Sequence, residues 1–498
     1  MGAVVGLVTS TCAQAQPVFE VTMPADGETF TGRLVVSLIH EDSPLFERSD
    51  PADGPFFSDP QPMFGIDVKD VRAGWTLTLH EFAEGFPSFV KDLPFGTYKA
   101  QAVLDMAQKN SSWQREPGNV YSQVVTLTYD KDTPVVKLML DQVVKERELP
   151  EQAGFEMFEA QFHRGGRCGT QPFMVHAGVV LPKDHDPNSK YPAVYIIPGF
   201  GGDHTSAAFY ARAFESGRLG EDWARLHEQA FVVVLDPESG NGHHLFANSV
   251  FLVNKLIPHL EKRFGLIAKP SARIVTGHSS GGWSSLWLAI ERPDVFGACF
   301  SSAPDPVDFN FFQQVNIYED ESMYTDAEGN ERASSTRDGK VTMTIRQENQ
   351  MEEVLGPGNT SGQQWDSWYA AFGPRSKDGN PADLHDIGTG KIDRDIAQDY
   401  RNFDITDRTR KEPETYGPRF ANNVRLIVGR EDTYDLDLAV DSLLRTLVEL
   451  GYDVNNDDSP GYIKIVEGAD HGSIRRTEAG VAFAREMLEF FEAGGHTH

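Results

Sequence analysis

Two hydrophobic rhythms divide the chain. From Pro17 to about Val144, apolar residues alternate with polar ones at a period of two, as in Trp75, Leu77 and Leu79 or in Val125, Leu127 and Tyr129. A strand with one buried face requires that alternation, because successive side chains point to opposite sides. About seven such runs, separated by turn residues, predict an all-β region. Beyond a charged connector, Lys145 to Gln152, the pattern becomes short apolar runs alternating with amphipathic segments. The runs are Ala193–Ile197, Phe231–Leu235, Ala272–Val275, Val424–Val428 and Tyr462–Val466, and the predicted helices include Val250–Phe264 and Leu436–Leu450. Runs that are apolar at nearly every position suit strands buried on both faces, so this half predicts a mostly parallel sheet covered by helices, the α/β class.

One stretch breaks the second rhythm. From about Asp305 to Phe420 the chain is polar, rich in Gly, Asp and Asn, and shows no clear strand. It is too long for an ordinary connection and predicts an insertion, about 305–420, between the sixth and seventh strands. Within it Trp365, Trp368, Tyr369 and Phe372 fall at helical spacing, either as a core stripe or as a wall for a bound molecule. The resulting organisation is a segment 1–15, a β domain 16–150 and an α/β domain 151–498. No internal repeat is present.

Composition narrows the functions. With 498 residues the chain exceeds the usual size of one compact domain, and its net charge of −29 excludes the basic clusters that nucleic acid or anionic membrane requires. No apolar run approaches the roughly 20 residues of a membrane span. The apolar stretch Ala3–Val8 followed by Ala13-Gln14-Ala15 resembles a leader with its cleavage site, which predicts a mature start at Gln16 and a secreted or periplasmic location. Past that segment Cys168 and Cys299 are left, either paired or as two buried thiols. With no CxxC or HExxH spacing, no metal and no cofactor are expected. Oligomeric state is not legible.

The chemistry concentrates at Gly277-His278-Ser279-Ser280-Gly281-Gly282, between an apolar run ending at Thr276 and an amphipathic segment starting near Trp283. Strand, tight small-residue turn and helix form a nucleophile elbow, which projects the serine hydroxyl off the sheet edge. A hydroxyl near neutral pH needs a base. After Ser279 the histidines are His385, inside the insertion, His471, and the terminal His496 and His498. His471 stands after the run Tyr462–Val466 and before the final helix, so it is the expected base. The acid that orients it should follow Val424–Val428; Asp432 is the first choice, with Glu431 and Asp435 in the same loop. The oxyanion donors expected are the amide of Ser280 and, from the loop Pro198-Gly199-Phe200-Gly201-Gly202, that of Phe200 or Gly201; one good donor contributes roughly 3–4 kcal/mol. His243 and His244, in Asn241-Gly242-His243-His244, are further candidate substrate contacts along with Trp365 and Trp368.

Ala193–Gly202, Gly277–Trp283, Arg292–Ala303, Gly429–Asp432 and Asp470-His471 resemble the putative esterase family, which includes enterochelin esterases, feruloyl esterases, esterase D and the mycolyltransferase antigens. The resemblance covers roughly Phe155 to Gly494 apart from the insertion. It implies an α/β-hydrolase fold, acyl transfer to water, and Ser279, Asp432 and His471 as triad; the insertion then occupies a place where hydrolases carry lids. Many members have His-Gly where this chain has Pro198-Gly199, so the oxyanion loop is shaped differently. In the β domain, Leu93-Pro94-Phe95-Gly96-Thr97-Tyr98 resembles a turn of extracellular immunoglobulin-like sandwiches. The expectation is a secreted serine esterase on a small or polysaccharide-linked ester, losing activity roughly below pH 6 to 7 as His471 protonates. The competing readings are a prolyl-oligopeptidase-type peptidase, for which the β region is too short to form a full propeller, an acyltransferase, and a glycan- or surface-binding protein without catalysis.

Overall fold

The computed structural model describes residues 18–79, 83–108, 111–130, 132, 135–146, 154–166, 169–237, 251–456 and 459–496. The expected leader 1–15, Cys168, and His243 with His244 lie outside the described residues. The chain divides into two compact units, Met1–Ala107 with Trp113–Glu146, and Gln108–Ser112 with Arg147–His498.

The first unit is all β. Its strands pair in the order Thr76–Leu79, Phe19–Thr22, Val136–Val143, Val120–Ser122, Gly96–Asp105, Thr29–His40, Met63–Arg72 and Glu84–Phe86, with Val125–Tyr129 also on Gly96–Asp105. Among the described residues these are nine strands, against about seven expected. Glu84–Phe86 and Val120–Ser122 are three residues each, too short for alternation to show. The buried face gathers Phe19, Val21, Leu34, Val36, Leu38, Phe64 and Leu104. Tyr98, also buried, donates its hydroxyl to the Pro94 carbonyl at 2.9 Å, closing the Leu93–Tyr98 turn on itself.

In the second unit eight strands run Phe155–Gly166, Gly169–Val180, Phe231–Leu235, Ala193–Ile197, Arg273–His278, Ala298–Ser302, Val424–Gly429 and Tyr462–Val466 across one sheet. The first two form an antiparallel hairpin, and Gly169–Val180 is antiparallel to Phe231–Leu235. Every later pairing is parallel. The order and direction are those of an α/β-hydrolase sheet. Parallel register aligns the strand ends: Ile197 pairs with Gly277, Gly277 with Ser301, Ser302 with Ile427 and Gly429 with Val466. The loops that follow, carrying Gly199, Ser279, Asp305, Asp432 and His471, therefore emerge at one edge of the sheet.

The insertion differs from its expectation. It contains an antiparallel ribbon, Ala333–Arg337 with Lys340–Thr344, and the helices Ile345–Leu355, Gln364–Phe372, Arg394–Tyr400, Ile405–Lys411 and Pro413–Asn423. Its aromatic residues join the main core. The Phe372 ring lies 4.9 Å from Trp283, 5.1 Å from Phe309 and 5.8 Å from Phe403. The helix Ser280–Glu291, read from sequence as amphipathic, is consequently buried on all sides from Ser280 to Ile290. The polar composition concealed this because the buried carboxylates are satisfied locally; Glu352, for instance, accepts the amides of Trp365 and Asp366 at 3.0 and 2.9 Å.

Phe372→Ala should lower unfolding stability by about 3–5 kcal/mol, as for a large aromatic removed from a packed core. Urea unfolding followed through tryptophan fluorescence checks this. A loss under about 1 kcal/mol would instead describe an insertion detached from the core.

Candidate functional site

Ser279 stands at the junction of the strand Arg273–His278 and the helix Ser280–Glu291, with φ 59° and ψ −127°. A non-glycine residue held there is strained, and the strain persists only because its surroundings over-determine it. The flanking glycines show how. A side chain at Gly277 would put its Cβ 2.2 Å from the Gly281 carbonyl oxygen, and one at Gly281 would sit 2.0 Å from the Ile197 carbonyl oxygen. Backbone occupies both spaces, so only glycine lets the turn close.

His471 follows the strand Tyr462–Val466 in a loop clasped from two sides. Glu431 donates its amide to the Ala469 carbonyl at 3.0 Å, and Ser473 donates its amide to the Asp470 carboxylate at 2.6 Å. The His471 Nδ1 lies 2.9 Å from Asp432 Oδ2. The other Asp432 oxygen accepts the Tyr434 amide at 3.0 Å, so both carboxylate oxygens are held and the side chain is wholly buried. Of the three carboxylates offered by this loop, Asp432 is the one that meets the imidazole. Glu431 is exposed, and Asp435 accepts from Gln314 Nε2 at 2.7 Å. The edge of Tyr434 packs on the His471 ring at 4.9 Å, and the His278 ring lies 4.6 Å from it.

Two opposed effects act on His471. Burial favours the neutral ring, but the charge and hydrogen bond of Asp432, joined by the charge of Asp305, outweigh it and raise the pKa above the ordinary 6.5, while Arg475 pulls the other way. For His278, burial comes first, and the charges of His471 and Arg475 add to it, so its pKa is pushed well down. His278 is thereby a neutral neighbour, with Nδ1 3.2 Å from Ser302 Oγ.

The loop Pro198–Gly202 runs against the elbow. A Cβ at Gly199 would lie 2.9 Å from the His278 carbonyl oxygen and 3.4 Å from Ser279 Cβ, and Gly202 donates to the Gly199 carbonyl at 3.0 Å. Gly201 takes a left-handed φ of 75° within this loop, two residues beyond the Gly199 that lies against the serine. Ser280 is the first residue of the buried helix, where amides point away from the helix body.

Other candidates are placed elsewhere. Of the two readings open for Trp365 and Trp368, core stripe or substrate wall, the structure favours the first: they are 0% and 2% exposed and pack on Phe312 at 5.8 and 5.0 Å. His385 is buried between the hydroxyls of Tyr324 and Tyr369, and burial brings its pKa to about 4. His496 meets Ser271 Oγ at 2.8 Å. Cys299 is a buried free thiol, pushed up to about 12 by burial. Among the described residues no group of three or more His, Cys, Asp or Glu is arranged to hold a metal ion, and no helix is long and apolar enough to cross a membrane.

Sequence reading missed Asp305. Its carboxylate, 2% exposed, accepts Trp368 Nε1 at 2.7 Å and Gln364 Nε2 at 3.4 Å, and its amide donates to the Ser279 carbonyl at 3.4 Å. The available signal was its position, a carboxylate three residues beyond the parallel strand Ala298–Ser302.

No curated protein matches the chain. Among solved structures it is similar to a ferulic acid esterase of Anaeromyces mucronatus in complex with ferulic acid, at 13% identity over 70% of this chain and 94% of that one, with TM-score 0.34. It is also similar to an S-formylglutathione hydrolase of Agrobacterium tumefaciens, at 14% identity over 69% and 97%, with TM-score 0.36. A third is a putative dipeptidyl aminopeptidase IV of Bacteroides ovatus, at 10% identity over 88% of this chain and 56% of that one, with TM-score 0.39. The fold assignment rests on strand order and the elbow, and not on these distant likenesses. A family model described as putative esterase matches residues 174–336, a span that holds the Pro198–Gly202 loop, Ser279 and Asp305 but ends before Asp432 and His471. Over that span the chain carries the sequence pattern of the putative esterase family.

Proposed function

We propose that this protein is a serine carboxylic-ester hydrolase that works through an acyl-enzyme on Ser279. The reading is carried by the 2.9 Å bond from His471 to Asp432 beside a serine held at positive φ. His471 takes the Ser279 proton as the hydroxyl oxygen attacks the ester carbonyl, and Asp432 fixes the imidazole tautomer and stabilises the imidazolium. The tetrahedral oxyanion is met by the amide of Ser280 and by that of Phe200 or Gly201. Collapse breaks the ester C–O bond, and the alcohol leaves with the proton from His471. Water, deprotonated by the same histidine, then cleaves the acyl-serine and returns the hydroxyl. The N-terminal β unit is read as an immunoglobulin-like sandwich, the 305–420 segment as a lid-position insertion fixed to the core, and the protein as exported.

Hydrolysis of p-nitrophenyl acetate and butyrate by the purified protein tests this reading. Ser279→Ala and His471→Ala should each lower kcat/KM by about 10³-fold or more, and Asp432→Asn by about 10²–10⁴-fold. Activity surviving in Ser279→Ala would remove the mechanism.

Because the neutral imidazole is the active form, kcat/KM should fall as pH drops through the His471 pKa. That pKa is raised, so the acid limb should have its midpoint above 6.5. A pH profile with a midpoint at roughly pH 6 or below would contradict the assigned partners of the base.

A further inference from the structure

One hydrogen bond does not set the plane of a ring. The torsion that turns an imidazole about its Cβ–Cγ bond has a broad profile and not narrow wells, so the 2.9 Å bond from His471 Nδ1 to Asp432 leaves the ring free to tilt about that contact. Two other rings meet it. His278 lies 4.6 Å away with its plane tilted by 42°, and Tyr434 stands edge-on at 4.9 Å and 84°. Each comes from a different loop and is tied to a member of the triad. His278 precedes Ser279 and pairs with Ser302 on the neighbouring parallel strand. The Ser302 carbonyl accepts the Ser279 amide at 3.0 Å, and its hydroxyl lies 3.2 Å from His278 Nδ1, so one residue grips both the nucleophile's backbone and the ring beside it. Tyr434 donates its amide to Asp432 at 3.0 Å, which ties the second ring to the acid.

We propose that His278 and Tyr434 are positioning residues whose rings fix the plane of the His471 imidazole, so that Nε2, the nitrogen not bonded to Asp432, stays aligned with the Ser279 hydroxyl through acylation and deacylation. This inference rests on the esterase reading. Tilted and edge-on contacts are the arrangements aromatic rings favour, because the ring edge is positive and the face negative. His278 stays neutral, through burial first and then the charges of His471 and Arg475, and so meets the imidazolium without repelling it. The leverage on rate is geometric: a reacting group misplaced by about 1 Å costs on the order of 100-fold, although neither ring takes part in the chemistry. The two contacts also make the base follow its partners, since a shift of the elbow or of the acid loop is passed to His471 through a ring.

The test separates kcat from KM on p-nitrophenyl butyrate for the full-length wild type, His278→Asn, His278→Phe, Tyr434→Ala, Tyr434→Phe and Ser279→Ala. His278→Asn offers an amide to Ser302 but no ring, and Tyr434→Ala keeps the backbone bond to Asp432 but no ring; each should lower kcat by about 10- to 100-fold with KM little changed. His278→Phe and Tyr434→Phe, which keep a ring, should recover most of that loss. Tyr434→Ala decides the matter if His278→Asn does not fold. Turnover that depends on Ser279, with kcat unmoved in the folded ringless variants, would overturn this inference alone. So would a loss carried by KM, which would make the rings substrate contacts, or a kcat that falls as far in the Phe variants as in the ringless ones. Wild-type turnover that does not depend on Ser279 would overturn the esterase reading and this inference with it.

Discussion

The close approach of backbones at the end of the strand Arg273–His278 is the constraint on which the site depends. Gly277 and Gly281 admit the neighbouring carbonyls at distances no Cβ tolerates, and Ser279 is forced to a left-handed φ as a result. The strain is held by a helix buried along its length and by parallel strands on both sides. Once the turn is fixed, the remaining groups need only follow from the register of neighbouring strands. Ile197, Ser302 and Gly429 end at the same edge, and each is followed by a loop that delivers a backbone turn, a carboxylate or a clasp for the histidine loop.

Electrostatics and packing meet in the insertion. An acidic protein gains little stability from charge, yet this stretch buries several carboxylates by giving them amide and hydroxyl donors. Asp366 accepts the Ser361 amide at 2.9 Å, and Asp308 accepts Ser442 Oγ at 2.7 Å. Such satisfaction makes buried polar groups tolerable and defines one arrangement of the segment. The aromatic rings between these groups complete the cover over the elbow helix, with Trp283 stacked on Trp287 at 5.3 Å and both meeting rings of the insertion.

Much of the central sheet was legible because its strands are short, mostly apolar runs, without any polar residue in Ala193–Ile197 and Phe231–Leu235, and a run apolar on both faces has few alternatives. The elbow was legible for a related reason: small residues on both sides of a serine, between strand and helix, have a steric meaning. The Phe155–Val180 hairpin was harder, since its polar and glycine positions dilute the alternation. The insertion's order was not legible, because sequence does not distinguish a solvated Glu from Glu352, whose oxygens cap a buried helix. The burial of Asp305 was missed for the same cause: the partners that hold it lie 59 and 63 residues away.

The most direct test of the central claim is covalent capture. The protein would be treated with a fluorophosphonate, and the modified residue located by peptide mass mapping in wild type and in His471→Ala. The account predicts a single phosphonylated serine, Ser279, with labelling slowed strongly when His471 is removed. Labelling at another residue, or at Ser279 with an unchanged rate in His471→Ala, would contradict it.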